Sequence, residues 1–147
     1  MNITLENIHM ILRELIDGTP GVTLGMLLGE EGLPLYLYPA SEVSANQIDK
    51  AAISALNLLS TAEKTSTYLD LHGLKGVLVR TENGYVYGIR VKGIKESTFV
   101  AKTDLSISLG ALFMAVHETC NKLTMAMANI SPSTNFNQNI IFGKALR

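Results

Sequence analysis

Leu5, Ile8, Leu12, Leu15 and Ile16 recur at three-to-four spacing, which predicts an amphipathic first helix capped by Thr4 and running to about Ile16. Asp17-Gly18-Thr19-Pro20-Gly21 stops it. The period then changes. Val22 to Leu28 is an apolar run of strand length with little polar alternation, as expected of a central strand covered on both faces. After the turn cluster Gly29-Glu30-Glu31-Gly32, Leu33, Leu35 and Leu37 alternate with Pro34, Tyr36 and Tyr38, so a hairpin partner follows. Pro34 cannot donate to a ladder, which places this second strand at an edge or at an irregularity.

Ser44-Ala45-Asn46-Gln47 has the form of a capping box and opens a long helix to about Leu69, whose stripe Ile48, Ala52, Ala55, Leu59 and Ala62 suits close packing on a sheet. Ile53 and Leu56 lie on the flank of that stripe, and Lys50, Ser54, Asn57, Thr61, Lys64 and Tyr68 occupy the opposite side, with less charge than a solvated helix face usually carries. Two further strands, over Gly76–Arg80 and Tyr85–Val91, flank Thr81-Glu82-Asn83-Gly84, where Asn-Gly predicts a tight hairpin because both residues tolerate positive φ. A turn around Gly93 leads to a strand at Ser97–Ala101. Ser106 or Asp104 is placed to cap a last helix carrying Leu109, Leu112, Phe113, Val116, Cys120, Leu123 and Met127 on its apolar side. The expected class is α/β (α+β), a five-stranded antiparallel sheet with helices on its faces. Residues 1–128 form the expected domain, and 129–147 an irregular tail in which Ile140-Ile141-Phe142 offers a short apolar docking segment.

Composition narrows the function more than the fold. A chain of 147 residues is long enough for one self-sufficient core. At 47% hydrophobic and only 17% charged, against about 25% charged in ordinary soluble domains, its surface is short of charge, and a covering partner is expected. The net charge of −1 provides no footprint for nucleic acid. Charge is uneven: residues 1–74 carry three Lys/Arg against nine Asp/Glu, and residues 75–102 carry six against two. No apolar run approaches the roughly 20 residues of a membrane span, and the lone Cys120 leaves no internal disulfide. With no secretory-type opening to the chain, the expected compartment is the cytoplasm.

Candidate chemistry is sparse. Neither a phosphate-binding Gly-x-x-x-x-Gly-Lys-[Ser/Thr] loop nor a Gly-x-Gly-x-x-Gly fingerprint is present. His9, His72 and His117 sit on separate elements, and His117 with Cys120 makes two ligands, too few to close a zinc site. Cys120 lies on an apolar stripe, which suits a buried, inert thiol better than a nucleophile. Of Arg13, Arg80, Arg90 and Arg147, only the last stands clear of the expected elements, so no arginine finger is assigned. No catalytic residue, metal ligand or cofactor site is expected.

The element order, Pro20-Gly21-Val22, Glu31-Gly32-Leu33-Pro34-Leu35, Leu78-Val79-Arg80 with its Asn-Gly hairpin, and the link from Asp104 to Gly110 together resemble the roadblock/light-chain-seven family, over residues 4 to about 127. The resemblance implies a fold related to longin and profilin domains, with one long helix on one face of the sheet and two on the other. It also implies a homodimer, or a pair with a related roadblock protein, joined through Val77, Leu78, Val79 and Arg80 into a ten-stranded sheet, with Ile53 and Leu56 buried across the two-fold axis. The function implied is that of a non-catalytic scaffold for a Ras-like small GTPase, contacted through Asn57, Ser60 and Lys64 beside Ile53 and Leu56. Alternatives are a structural adaptor of a larger complex, as in the dynein-associated relatives, and a small-ligand sensor.

Overall fold

The computed structural model describes residues 2–40, 44–92 and 96–128, with side chains from Leu5 onward. The chain runs α1 (Asn2–Gly18), β1 (Val22–Leu28), a 3-10 turn (Glu30–Gly32), β2 (Pro34–Tyr38), α2 (Ala45–Tyr68), β3 (Val77–Arg80), β4 (Tyr85–Val91), β5 (Ser97–Thr103) and α3 (Leu109–Ala128). All pairings in the five-stranded sheet are antiparallel, in the order β2-β1-β5-β4-β3. Six of the seven β1 residues are buried, as its unbroken apolar run requires of a central strand. Pro34 opens the edge strand β2 at an irregular register opposite Leu28, so its missing N–H costs no regular ladder bond.

Two apolar layers clamp the sheet. On one face, Ile8, Leu12 and Leu15 of α1 and Leu112, Val116, Cys120 and Leu123 of α3 close on Leu27, Ile89 and a completely buried Phe99. On the other face, Ile48 and Ala52 of α2 pack on Leu24, Met26, Leu28, Leu37 and Val100. From Leu24 onward the residues of β1 divide between the two layers by the two-residue period of a strand, and the register shift between Val22 and Leu24 puts Val22 in the α1/α3 layer. At the start of α2 the capping box forms: the Ser44 hydroxyl accepts from the Gln47 N–H, and the Ser44 N–H donates to Gln47 Oε1 at 3.1 Å.

Three details differ from the sequence-based expectations. Helix α1 is already formed at Asn2, so Thr4 lies inside its first turn. The cap of α3 is Ser108, whose hydroxyl accepts from the Ala111 N–H, while the Asp104 carboxylate accepts instead from the N–H and hydroxyl of Ser106. The β3–β4 turn centres on Glu82-Asn83, closed by Thr81 N–H donating to the Gly84 carbonyl and held by Thr81 Oγ1, which accepts from the Gly84 N–H. Neither Asn83 nor Gly84 has positive φ. Glycine serves there for close approach, because a Cβ on Gly84 would lie 2.0 Å from the Thr103 carbonyl oxygen. The expected turn around Gly93 and the tail 129–147 fall outside the described residues.

Candidate functional site

Strand β3 pairs only with β4, so its other side is a sheet margin open among the described residues. Val77, Leu78 and Val79 are half-buried and Arg80 is exposed. In an antiparallel ladder the hydrogen-bonding residues alternate. Thr81 bonds to Gly84, and Tyr85 donates from its N–H to Thr103 Oγ1 on β5, away from β3. Counting back from there, the Val79 and Val77 amides serve the β4 ladder, while those of Leu78 and Arg80 point out from the margin. Leu78 leans on the α1/α3 layer, and Val77 and Val79, by alternation, face the side of α2. An apolar strand with free amides and no proline is a template for pairing.

The second surface is built where the 3-10 turn meets α2. Glu31 and Gly32 take left-handed φ values of 62° and 79°, and Gly32 tucks against the helix, where an added Cβ would approach Leu56 Cδ1 to 3.3 Å and the Ala52 carbonyl to 3.4 Å. A cleft of about 390 Å³ opens beside this contact, bounded by Leu56, Asn57 and Ser60 of α2 and by Arg90, Glu96 and Thr98 at the strand ends. An adjoining cleft of about 610 Å³ shares Glu30 and Glu31 and is lined further by Leu33, Asp49 and Ile53. Arg90 donates to Glu63 at 2.6 Å and lies 3.8 Å from Glu96. The hydrogen bond from Arg90, then its charge, holds the Glu63 carboxyl below the usual carboxylate range.

Ile53 is 55% exposed and Leu56 half-buried, and both sit beside Gly32. The structure therefore groups these two with Asn57 and Ser60 at the turn, whereas Val77–Arg80 make up the separate sheet margin. Lys64 is an exposed residue of α2 that lines neither cleft. Sequence reasoning missed Leu58, 41% exposed on the flank of α2 opposite Leu56. Its signal was the three-to-four recurrence of Ala51, Ala55, Leu58 and Ala62. The exposed Leu69 and Leu71 just after the helix were missed as well.

Elsewhere, the His9 ring hydrogen-bonds the Tyr36 hydroxyl, and His117 Nε2 lies 3.3 Å from the Tyr87 hydroxyl, so these two histidines of α1 and α3 pair with strand tyrosines on the face that those helices cover. Burial pushes the Cys120 thiol up to about 12. No group of three or more His, Cys, Asp or Glu suited to a metal ion occurs among the described residues. None of the described helices is long and apolar enough to cross a membrane.

No sequence-family model matches the chain, and no curated protein matches it. Its architecture, in contrast, is shared with solved structures. The gliding protein MglB of Thermus thermophilus superposes with a TM-score of 0.74 at 16% identity, over 86% of this chain and 93% of that one. An MglB with tetrameric arrangement gives 0.73 at 15%, over 84% and 90%. A roadblock/LC7 domain from Streptomyces avermitilis gives 0.68 at 15%, over 78% and 92%. Sheet order, the split of three helices between two faces and this likeness across most of both chains agree: the protein has the roadblock/LC7 fold.

Proposed function

We propose that the protein is a non-catalytic, cytoplasmic regulatory platform that pairs with a second roadblock domain through β3 and binds a Ras-like small GTPase on the α2 face. The observation that carries this reading is the open apolar margin at Val77–Arg80, with the outward amides of Leu78 and Arg80. Two such margins meeting about a two-fold axis make one ten-stranded sheet, and each residue of the joint is used twice. Self-association is in keeping with the tetrameric arrangement of one structural neighbour.

The surface assigned to the GTPase is the turn-facing flank of α2, with Ile53 and Leu56 as apolar contacts and Asn57 and Ser60 as polar ones, and Lys64 further along the helix. Holding a GTPase switch segment against such a surface shifts its ordered population and needs no catalytic side chain on the platform. The test is co-purification with Ras-like GTPases loaded with GDP or a non-hydrolysable GTP analogue. A stoichiometric complex in one nucleotide state, weakened by Ile53→Arg or Asn57→Arg, is the expected result. A complex indifferent to nucleotide would replace this reading with that of a structural adaptor.

A further inference from the structure

The clefts beside the turn are acidic beyond what Arg90 neutralises. Glu30, Glu31, Asp49 and Glu96 line them, and the single Arg90 guanidinium is taken up by Glu63 and Glu96. Glu30, Glu31 and Asp49 form no ion pair among the described residues, and they surround the exposed apolar surface of Leu33 and Ile53. An apolar floor ringed by unpaired carboxylates fits an extended segment with an apolar anchor followed by cations.

Such a segment belongs to the chain itself. Residues 129–147 contain no Asp or Glu, and within them Ile140-Ile141-Phe142 precedes Lys144 and Arg147. The point of departure is favourable too. Met127, next to last in α3, has its sulfur 4.0 Å from the Ser97 hydroxyl at the start of β5, and Ser97 lies between Glu96 and Thr98, both of which line the smaller cleft. The eleven residues from Asn129 to Asn139 can reach roughly 36 Å when extended, at about 3.3 Å per residue. That exceeds the path from Ser97 round the sheet end to the turn, which crosses at most two strand spacings of about 4.8 Å and passes from the α3 face to the α2 face, layers set about 10 Å from the sheet.

We propose that the C-terminal segment docks on its own α2–turn surface, with Ile140-Ile141-Phe142 over Ile53 and Leu33 and with Lys144 and Arg147 among Glu30, Glu31 and Asp49. The docked segment is a strap that covers the flank carrying Ile53, Leu56, Asn57 and Ser60. Its regulatory consequence, competition with the incoming partner, rests on the function proposed above, whereas the docking itself does not. Because the strap is tethered, its effective concentration is high and even a weak contact is populated.

The chain has no tryptophan, so Phe142→Trp in the full-length protein is a single reporter. Docking predicts emission blue-shifted from that of the same protein in denaturant, several-fold weaker acrylamide quenching, and no change on dilution. Adding Ile53→Arg, or Glu30→Lys with Glu31→Lys, is expected to return emission and quenching to solvent-like values, while Leu71→Arg, at a site exposed elsewhere, leaves them unchanged. All three alter exposed side chains, and circular dichroism checks that the fold is kept. Solvent-like emission in Phe142→Trp alone, a blue shift that survives the cleft substitutions, or one that fades on dilution overturns the proposal. Light scattering on the same samples reports pairing through β3 separately, so failure of the strap and failure of the platform are distinguishable.

Discussion

Replacing Leu78 with proline removes an amide that points out from the sheet margin and leaves intact the Val77 and Val79 amides that serve the β4 ladder. Strand φ values tolerate proline at an edge, and Val77 before it is already extended, as a residue preceding proline must be. The hairpin within one subunit should therefore persist. Across a two-fold joint the substitution occurs twice, so two inter-subunit N–H···O bonds are lost. At about 1 kcal/mol net each, that is about 2 kcal/mol, or a dissociation constant roughly 30-fold weaker. The pyrrolidine ring adds steric separation of the strands, so this figure is a lower bound. The assay is sedimentation velocity or light scattering over a dilution series, with circular dichroism confirming the folded subunit. A dimer of unchanged affinity in Leu78→Pro, or a wild-type protein that is monomeric at micromolar concentration, refutes pairing through β3.

Phe99→Ala empties the centre of the α1/α3 layer, where the side chain is fully buried, and should cost about 3–5 kcal/mol in urea unfolding at fixed protein concentration. Ser44→Ala removes the α2 cap and should cost about 1 kcal/mol by the same measurement. Cys120 should resist alkylation at pH 8 in the native protein and react readily in denaturant, as read by mass spectrometry. Its thiol titrates near 12 when folded and near the ordinary thiol range when unfolded, so above about pH 9 the unfolded state binds fewer protons than the native one. Stability from this group is complete below the unfolded value and falls as pH rises toward 12; a Cys120→Ala variant whose unfolding has the same pH dependence as wild type over that window refutes the assignment.

Element order was legible because periodicity is a local property. The unalternating Val22–Leu28 run could be stable only as a covered strand, and Ser44 with Gln47 marked the start of α2 three residues apart. Turn chemistry was less legible. Asn83-Gly84 invited a positive-φ reading, but the close approach of β5 decides what Gly84 is for, and β5 is distant in sequence. That Ile53 and Leu56 sit against the turn at Gly32 was not readable from periodicity. Helical spacing shows that they flank the packing stripe, but which neighbour that flank meets depends on how α2 is set against the sheet, and that follows from contacts at Gly32 and Ala52. For the same reason Leu58 carried a periodic signal with no address.

Strand β1, second in the sheet between β2 and β5, joins two kinds of closure. Its bond to β2 is a local hairpin, but its bond to β5 matches Leu27 with Phe99, and all of α2 together with the β3–β4 hairpin lies in the intervening chain. Closing that long loop spends chain entropy before any of the central packing repays it. Neighbours within each half close shorter loops, so the β1–β5 pairing is the one that topology predicts to form last, to be checked by whether weakening it slows refolding more than weakening the β3–β4 hairpin does. Until that pairing forms the greasy backs of both strands stay wet, so the nascent protein is most prone to stick to its neighbours before its centre has closed.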